Sequence, residues 1–240
     1  MRGRVNFLEE LLDLVFVPRC LECGGKLDEE RRACLCGRCW SRIRLIEPPS
    51  CVSCGKQLAS DLDPLCGDCR TETRFFTDNR SAAVYDGVMR NAIHLFKYKD
   101  KRKLGRHFGE MSVQALSSSG GLAGIDCVLP VPIYRKKRRD FNQSEVLARF
   151  IGEGFGLPVH SDVLVRSKDT RPQHELSRGE RRQNVSGAFS VKNRQKLDSA
   201  SILLVDDIFT TGATANECAA AILSGSNAKL VRVFTLARGE

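Results

Sequence analysis

At 240 residues, with 42% hydrophobic and 28% charged residues, the chain has the make-up of a folded protein holding one medium domain and a small module. No apolar run approaches the ~20 residues of a membrane helix, and three Tyr with one Trp argue against a broad base-stacking platform. A net charge of +9 suits anionic substrates, nucleic acid and plain solubility alike, so it selects none of them.

Residues 1–18 contain VNFLEELLDLVFVP, an apolar stretch broken by Glu9, Glu10 and Asp13. It lacks the basic-then-apolar layout and small-residue cleavage site of a secretion signal, so the spacing predicts an amphipathic helix packed on the body. The chain is therefore expected to be cytoplasmic, without membrane insertion.

Nine of the eleven cysteines precede residue 70, and their spacing is regular. Cys20-x-x-Cys23 is followed by Cys36-x-x-Cys39, then Cys51-x-x-Cys54 by Cys66-x-x-Cys69. Each pair of pairs brackets about a dozen residues, the ribbon spacing of zinc sites. Gly24 and Gly55 follow the first knuckles, where amides are expected to turn toward thiolate sulfur. Four thiolates suit tetrahedral Zn²⁺, and a segment of about 50 residues with few large apolar side chains needs such a staple. Two structural Cys₄ zinc sites are expected in a module over residues 19–75, in preference to disulfides or an iron–sulfur cluster. Spacing leaves open whether the pairs are used in sequence or interleaved, and Cys34 competes as a ligand. Cys127 and Cys218 fall on a predicted strand and a predicted helix and read as core thiols.

From about Ser81, α/β alternation begins. SAAVYDG reads as a strand, VMRNAIHLFKYK and LGRHFGEMSVQAL as helices, and DCVLPVPI as a strand with prolines at its exit. NQSEVLARFIGEGFG reads as a helix starting near Asn142 and ending in glycines. DVLVR is a predicted strand, and a long polar segment runs from Ser167 to about Gln183. The series closes with a strand over Ile202–Val205, a helix over Ala215–Leu223 and a last strand KLVRVFTLAR. This order predicts an α/β fold with a parallel, doubly wound sheet over residues 80–240. Ligands of such sheets sit beyond the carboxyl ends of the strands.

At that edge lies SILLVDDIFTTGATANE, residues 201–217. The apolar run is expected to end at Asp206 and Asp207, followed by Thr210, Thr211, Gly212 and Thr214 before a helix. Strand, polar loop and helix aim backbone amides at an anion. Two carboxylates beside it make sense when the phosphate carries a polyol whose hydroxyls they accept. A Walker-type site is excluded because no G-x-x-x-x-G-K-[ST] occurs. GEGFG at 152–156 lacks the third glycine of a dinucleotide loop and follows a predicted helix.

ILLVDDIFTTGAT resembles the phosphoribosyl-diphosphate (PRPP) signature of type I phosphoribosyltransferases. The resemblance implies ribose contacts from Asp206 and Asp207, and 5-phosphate contacts from Thr210, Thr211, Gly212, Ala213 and Thr214. It implies Mg²⁺ with PRPP, and a pyrophosphate loop and a flexible loop earlier in the chain. Arg135, Lys136, Lys137, Arg138 and Arg139 are the pyrophosphate-loop candidates. Arg171, Gln173 and His174 are the flexible-loop candidates. The cysteine knuckles, FKYKDKRKLG, PVPIYRKKRRDFNQSEVLA and RPQHELSRGERRQNVSGAF together with the PRPP motif resemble the ComF family, over about Pro18 to Arg238. That implies a type I phosphoribosyltransferase-like sheet behind a double zinc ribbon, and a role in natural competence and uptake of single-stranded DNA. One departure is Asp140, where the family usually has glycine; Asp is among the better-tolerated replacements if that residue adopts a positive φ, whereas the added carboxylate weakens pyrophosphate binding if the glycine serves close approach.

Three functions follow as expectations. The first is a PRPP-binding, phosphoribosyltransferase-like protein of DNA uptake or processing, with transfer to an unassigned acceptor. The second is a noncatalytic PRPP sensor or DNA-binding adaptor, its zinc module meeting a DNA-uptake helicase or processing proteins. The third is nucleobase salvage. Single-stranded DNA is expected to follow the basic loops, including Lys97, Lys99, Lys101, Arg102 and Lys103.

Overall fold

The computed structural model describes residues 18–98, 103–134, 141–169 and 177–239. The predicted N-terminal helix, the five pyrophosphate-loop candidates, Asp140, Lys99, Lys101 and Arg102, and the flexible-loop candidates Arg171, Gln173 and His174 lie outside them.

Within the cysteine module, two one-turn helices carry the second knuckle of each ribbon: α1 (Gly37–Trp40) and α2 (Gly67–Thr71). The rest runs β1 (Asn79–Val84), α3 (Gly87–Tyr98), α4 (Leu104–Ser118), β2 (Cys127–Pro130), α5 (Gln143–Phe155), β3 (Leu164–Arg166), α6 (Arg178–Val185), β4 (Phe189–Val191), β5 (Ser201–Phe209), α7 (Ala213–Gly225) and β6 (Leu230–Arg238). The helix ends follow their local chemistry. The Asn142 side chain caps α5 by accepting the Ser144 amide at 3.1 Å, and Gly156 ends it in the left-handed conformation.

Four strands form the sheet, in the order β1-β6-β5-β2, with every pairing parallel. Both faces are covered, which is why β5 opens with an unbroken apolar run. Leu203, Val205, Phe234 and Leu236 pack to one side with residues of α3, α4 and α5. Ile202, Leu204, Val231 and Val233 pack to the other with α7. The two ribbons divide between these cores: Cys20, Cys36 and Cys39 join the first, and Cys51, Cys54, Cys66 and Cys69 the second. The link between the ribbons crosses the free edge of β1, where Ile46 donates to the Ala82 carbonyl (3.0 Å) and Val84 to that of Arg44 (2.8 Å). The cysteine module therefore covers a sheet edge that would otherwise expose its backbone.

Three expectations need correction. The strand predicted over Ile202–Val205 runs on to Phe209, because β6 continues to pair with it beyond the acids, Asp206 opposite Thr235 and Ile208 opposite Ala237. DVLVR supplies β3, which stands outside the parallel sheet and pairs antiparallel with β4, Leu164 opposite Val191. Three residues with one buried side chain are too short for a central strand, and the pair packs beside α7 instead. The polar segment after it contains α6, whose Glu180 carboxylate accepts the Ser177 amide at 2.8 Å in a capping box.

Candidate functional site

The cysteines resolve into two tetrads, Cys20/Cys23/Cys36/Cys39 and Cys51/Cys54/Cys66/Cys69, each with its sulfurs within 4.8 Å of one another. The pairs are used in sequence, and Cys34 belongs to neither group. The sulfurs of Cys23 and Cys36 lie 3.9 Å apart, and those of Cys54 and Cys66 3.6 Å. Tetrahedral Zn²⁺ with Zn–S near 2.3 Å places sulfurs about 3.8 Å apart, so both tetrads fit the ion. The amides that reach sulfur differ from those expected. Gly24 and Gly55 close their knuckles by donating to the carbonyls of Cys20 (2.8 Å) and Cys51 (2.9 Å). Sulfur is met by the Cys36 amide on Cys20 (3.4 Å) and the Cys66 amide on Cys51 (3.3 Å). Burial pushes the Cys20 and Cys51 thiols up, but amide donors outweigh it and bring them down to about 6 and about 7. Burial drives Cys69 up to about 12, so a cation is needed to hold four thiolates together.

The second centre lies at the carboxyl end of the sheet. Strand β2 stops at Pro130, opposite Val205, and the longer β5 carries the acids past that point. Asp206 accepts the Ser144 hydroxyl (2.9 Å), from the first turn of α5, and the Asp207 amide (2.9 Å) through the same oxygen. Asp207 forms an ion pair with Lys97 in the last turn of α3, the two side chains being 14% and 18% exposed. Burial, then the Asp207 charge, push Asp206 up to about 7, opposed by the Asp207 amide, Lys97 and Ser144. Burial lowers the Lys97 ammonium, yet Asp207 and then Asp206 carry it above the usual lysine range.

Thr210 and Thr211 turn the chain from β5 into α7, and Gly212 caps the helix at φ 78°. The Thr211 hydroxyl accepts the Ala213 amide at 3.3 Å. The first-turn amides of a helix have no acceptor within it, so they face whatever lies before α7. Acid pair, turn and helix start thus form one continuous rim.

A double zinc ribbon domain model matches residues 11–76. Competence protein F of Haemophilus influenzae is 28% identical over 226 residues, 92% of this chain and 96% of that protein. Competence protein ComFC of Bacillus subtilis is 28% identical over 220 residues, 85% of this chain and 84% of its own. The chain is similar to these competence proteins over most of its length. DNA utilization protein YhgH of Salmonella typhimurium is 28% identical over 193 residues, 78% of this chain and 83% of the relative. Among solved structures, adenine phosphoribosyltransferase from Leishmania donovani is 11% identical and covers 58% of this chain and 66% of its own, with a TM-score of 0.35.

The structure brings Asp206, Asp207 and the segment Thr210–Thr214 together at one edge. It also adds residues that sequence reading missed. Lys97, expected along a nucleic-acid track, faces inward to Asp207 instead; Lys103 remains exposed. Ser144 carried no spacing signal, although it lies two residues into the capped start of α5. No helix among the described residues is long and apolar enough to cross a membrane.

Proposed function

We propose that this protein binds PRPP as a phosphoribosyltransferase-like protein and serves DNA uptake or processing in natural competence. The observation that carries the reading is the rim at the end of β5: two carboxylates on adjacent residues, then a threonine turn, then a glycine-capped helix start. Asp206 and Asp207 accept the ribose hydroxyls through charge-assisted hydrogen bonds worth about 1.5–3 kcal/mol each. Thr210–Thr214 wrap the 5-phosphate with hydroxyls and amides at the positive end of the α7 dipole. Arg135–Arg139, which follow β2 in the sequence, are assigned to the pyrophosphate. Arg171, Gln173 and His174 precede α6 and are assigned to a segment that covers the reacting sugar and excludes water. Mg²⁺ accompanying PRPP neutralises pyrophosphate charge. Transfer, where it occurs, displaces pyrophosphate from C1 of the sugar, and the protein contributes orientation and stabilisation of the cationic sugar. Competence and DNA-utilization relatives over most of the chain supply the biological setting.

Calorimetry of PRPP with Mg²⁺ is the direct test. The parent is expected to bind, and Asp206→Asn/Asp207→Asn to lose binding with the fold intact; equal affinity of the two removes the ribose reading. Turnover of radiolabelled PRPP against free bases, nucleosides and single-stranded DNA then separates a transferase from a sensor.

A further inference from the structure

Two arginines lie between the second tetrad and the turn after β5. Arg74, 7% exposed in its side chain, donates Nη2 to Cys69 Sγ (3.5 Å) and Nη1 to the Thr211 carbonyl (3.5 Å). Arg238, 6% exposed, donates Nη2 to Cys54 Sγ (3.6 Å), Nε to the Cys54 carbonyl (3.3 Å) and Nη1 to the Thr210 carbonyl (3.0 Å). Each guanidinium therefore holds a tetrad cysteine at one end and a turn residue at the other. Both lie over the Phe209 ring, 5.6 Å and 4.9 Å from its centroid. Gly212 completes the packing: a Cβ there would stand 2.5 Å from Arg74 Nη1 and 2.4 Å from the Phe209 ring. Glu72 anchors the arrangement from outside, taking Arg74 at 2.8 Å on one oxygen and Arg182 of α6 on the other.

The charges give this geometry a direction. Zinc held by four thiolates keeps a net negative charge, and burying it requires cations and donors nearby. Arg74 and Arg238 meet that need at the second tetrad, all four of whose cysteines are buried. Their remaining donors fix two consecutive carbonyls of the turn. Without the ion nothing gathers the sulfurs of Cys54 and Cys69 that the two guanidinium groups meet, so both bridges, and the turn they hold, lose a fixed anchor. In the first ribbon, Arg19 donates to the Gly24 carbonyl (3.1 Å) and so serves its own knuckle.

We infer that Arg74 and Arg238 are positioning residues that tie the phosphate turn Thr210–Thr214 to the second zinc site, so that ribose-phosphate binding requires metal at that tetrad. The inference rests on the ribose-phosphate reading of the turn.

Ribose 5-phosphate binding is measured by calorimetry on the full zinc-loaded chain, with amide hydrogen exchange across Thr210–Thr214 on ligand-free samples. Arg74→Met and Arg74→Lys, both retaining two zinc ions, are expected to weaken binding about tenfold and to speed exchange in the turn. Lysine does not rescue, because one ammonium does not span a sulfur and a carbonyl as a guanidinium fork does. Arg19→Met is the matched control, expected to change neither quantity. Unchanged binding and exchange in Arg74→Met overturn the coupling, and full rescue by Arg74→Lys overturns the bridging role. Should the parent fail to bind ribose 5-phosphate, the ligand reading falls. The exchange data then decide the coupling alone: faster exchange in Arg74→Met upholds it, and equal exchange overturns it.

Discussion

Lys97 and Asp207 join the last turn of α3 to the acid pair through an ion pair that is mostly withdrawn from solvent. The lysine is what allows two adjacent carboxylates to stand at the end of a buried strand without a bound sugar. It offsets the charge of Asp207 directly and that of Asp206 through space.

Lys97→Met should therefore destabilise the protein by about 3 kcal/mol, the cost of leaving a largely buried charge unpaired. Lys97→Met/Asp207→Asn should lose less than the sum of the two single changes, since the second removes the orphaned charge. Urea denaturation of the four proteins measures the coupling. Strict additivity would mean that the ion pair contributes nothing in solution.

Asp206 gives a pH dependence whose sign follows from its shift. Its carboxyl titrates near 7 in the folded protein, against about 4 in an unfolded chain. Between those values the folded state holds the extra proton, so this group's contribution is complete below about pH 4 and is lost as pH rises through about 7. Stability should fall over that window, and Asp206→Asn should flatten the fall. The same ionisation should favour sugar binding, because the charged carboxylate is the stronger acceptor, so PRPP affinity should rise through neutrality in the parent only. A parent whose stability profile matches that of Asp206→Asn contradicts the assignment.

Metal analysis should find two zinc ions per chain. Chelation should release them and unfold both ribbons, since each tetrad sits in one of the two cores. Loss of secondary structure should extend to β1, whose edge the ribbon link covers. A chelated chain with an unaltered circular dichroism spectrum contradicts a structural role for the ion.

Much of this was legible in the sequence for physical reasons. The knuckles are legible because four ligands of one ion require fixed local spacing. The run Ile202–Val205 is legible because a strand buried on both faces cannot alternate. What escaped was set by partners distant in the chain. Strand β5 passes through Asp206 and Asp207 because β6 pairs alongside, and β3 leaves the sheet because Phe189–Val191 offers a partner. Lys97 looked like one more surface cation in a basic run, and only the packing of α3 turns it to Asp207. Arg74 and Arg238 had no motif at all, since each acts by spanning two segments that the fold alone brings together.

The last prediction concerns nucleic acid. With Lys97 committed to Asp207, the basic residues that follow α3 in the sequence are Lys99, Lys101, Arg102 and the exposed Lys103, and Arg135–Arg139 follow β2. Charge of this kind follows a phosphate backbone without reading bases, and few aromatics are available for stacking. The protein should bind single-stranded DNA modestly, without sequence preference, and lose affinity steeply as salt rises. Each phosphate contact on a single strand contributes a log–log slope of about −0.7, so Lys101→Ala/Arg102→Ala/Lys103→Ala should flatten the dependence by up to about 2. Fluorescence anisotropy of labelled single-stranded DNA against salt measures this, with and without PRPP. Competition by PRPP would place the strand across the mouth of the acid-pair rim, whereas independent binding would place it on the ribbons or an outer face. An absence of binding even at low salt defeats a direct DNA role and leaves protein partners as the route for the function proposed above.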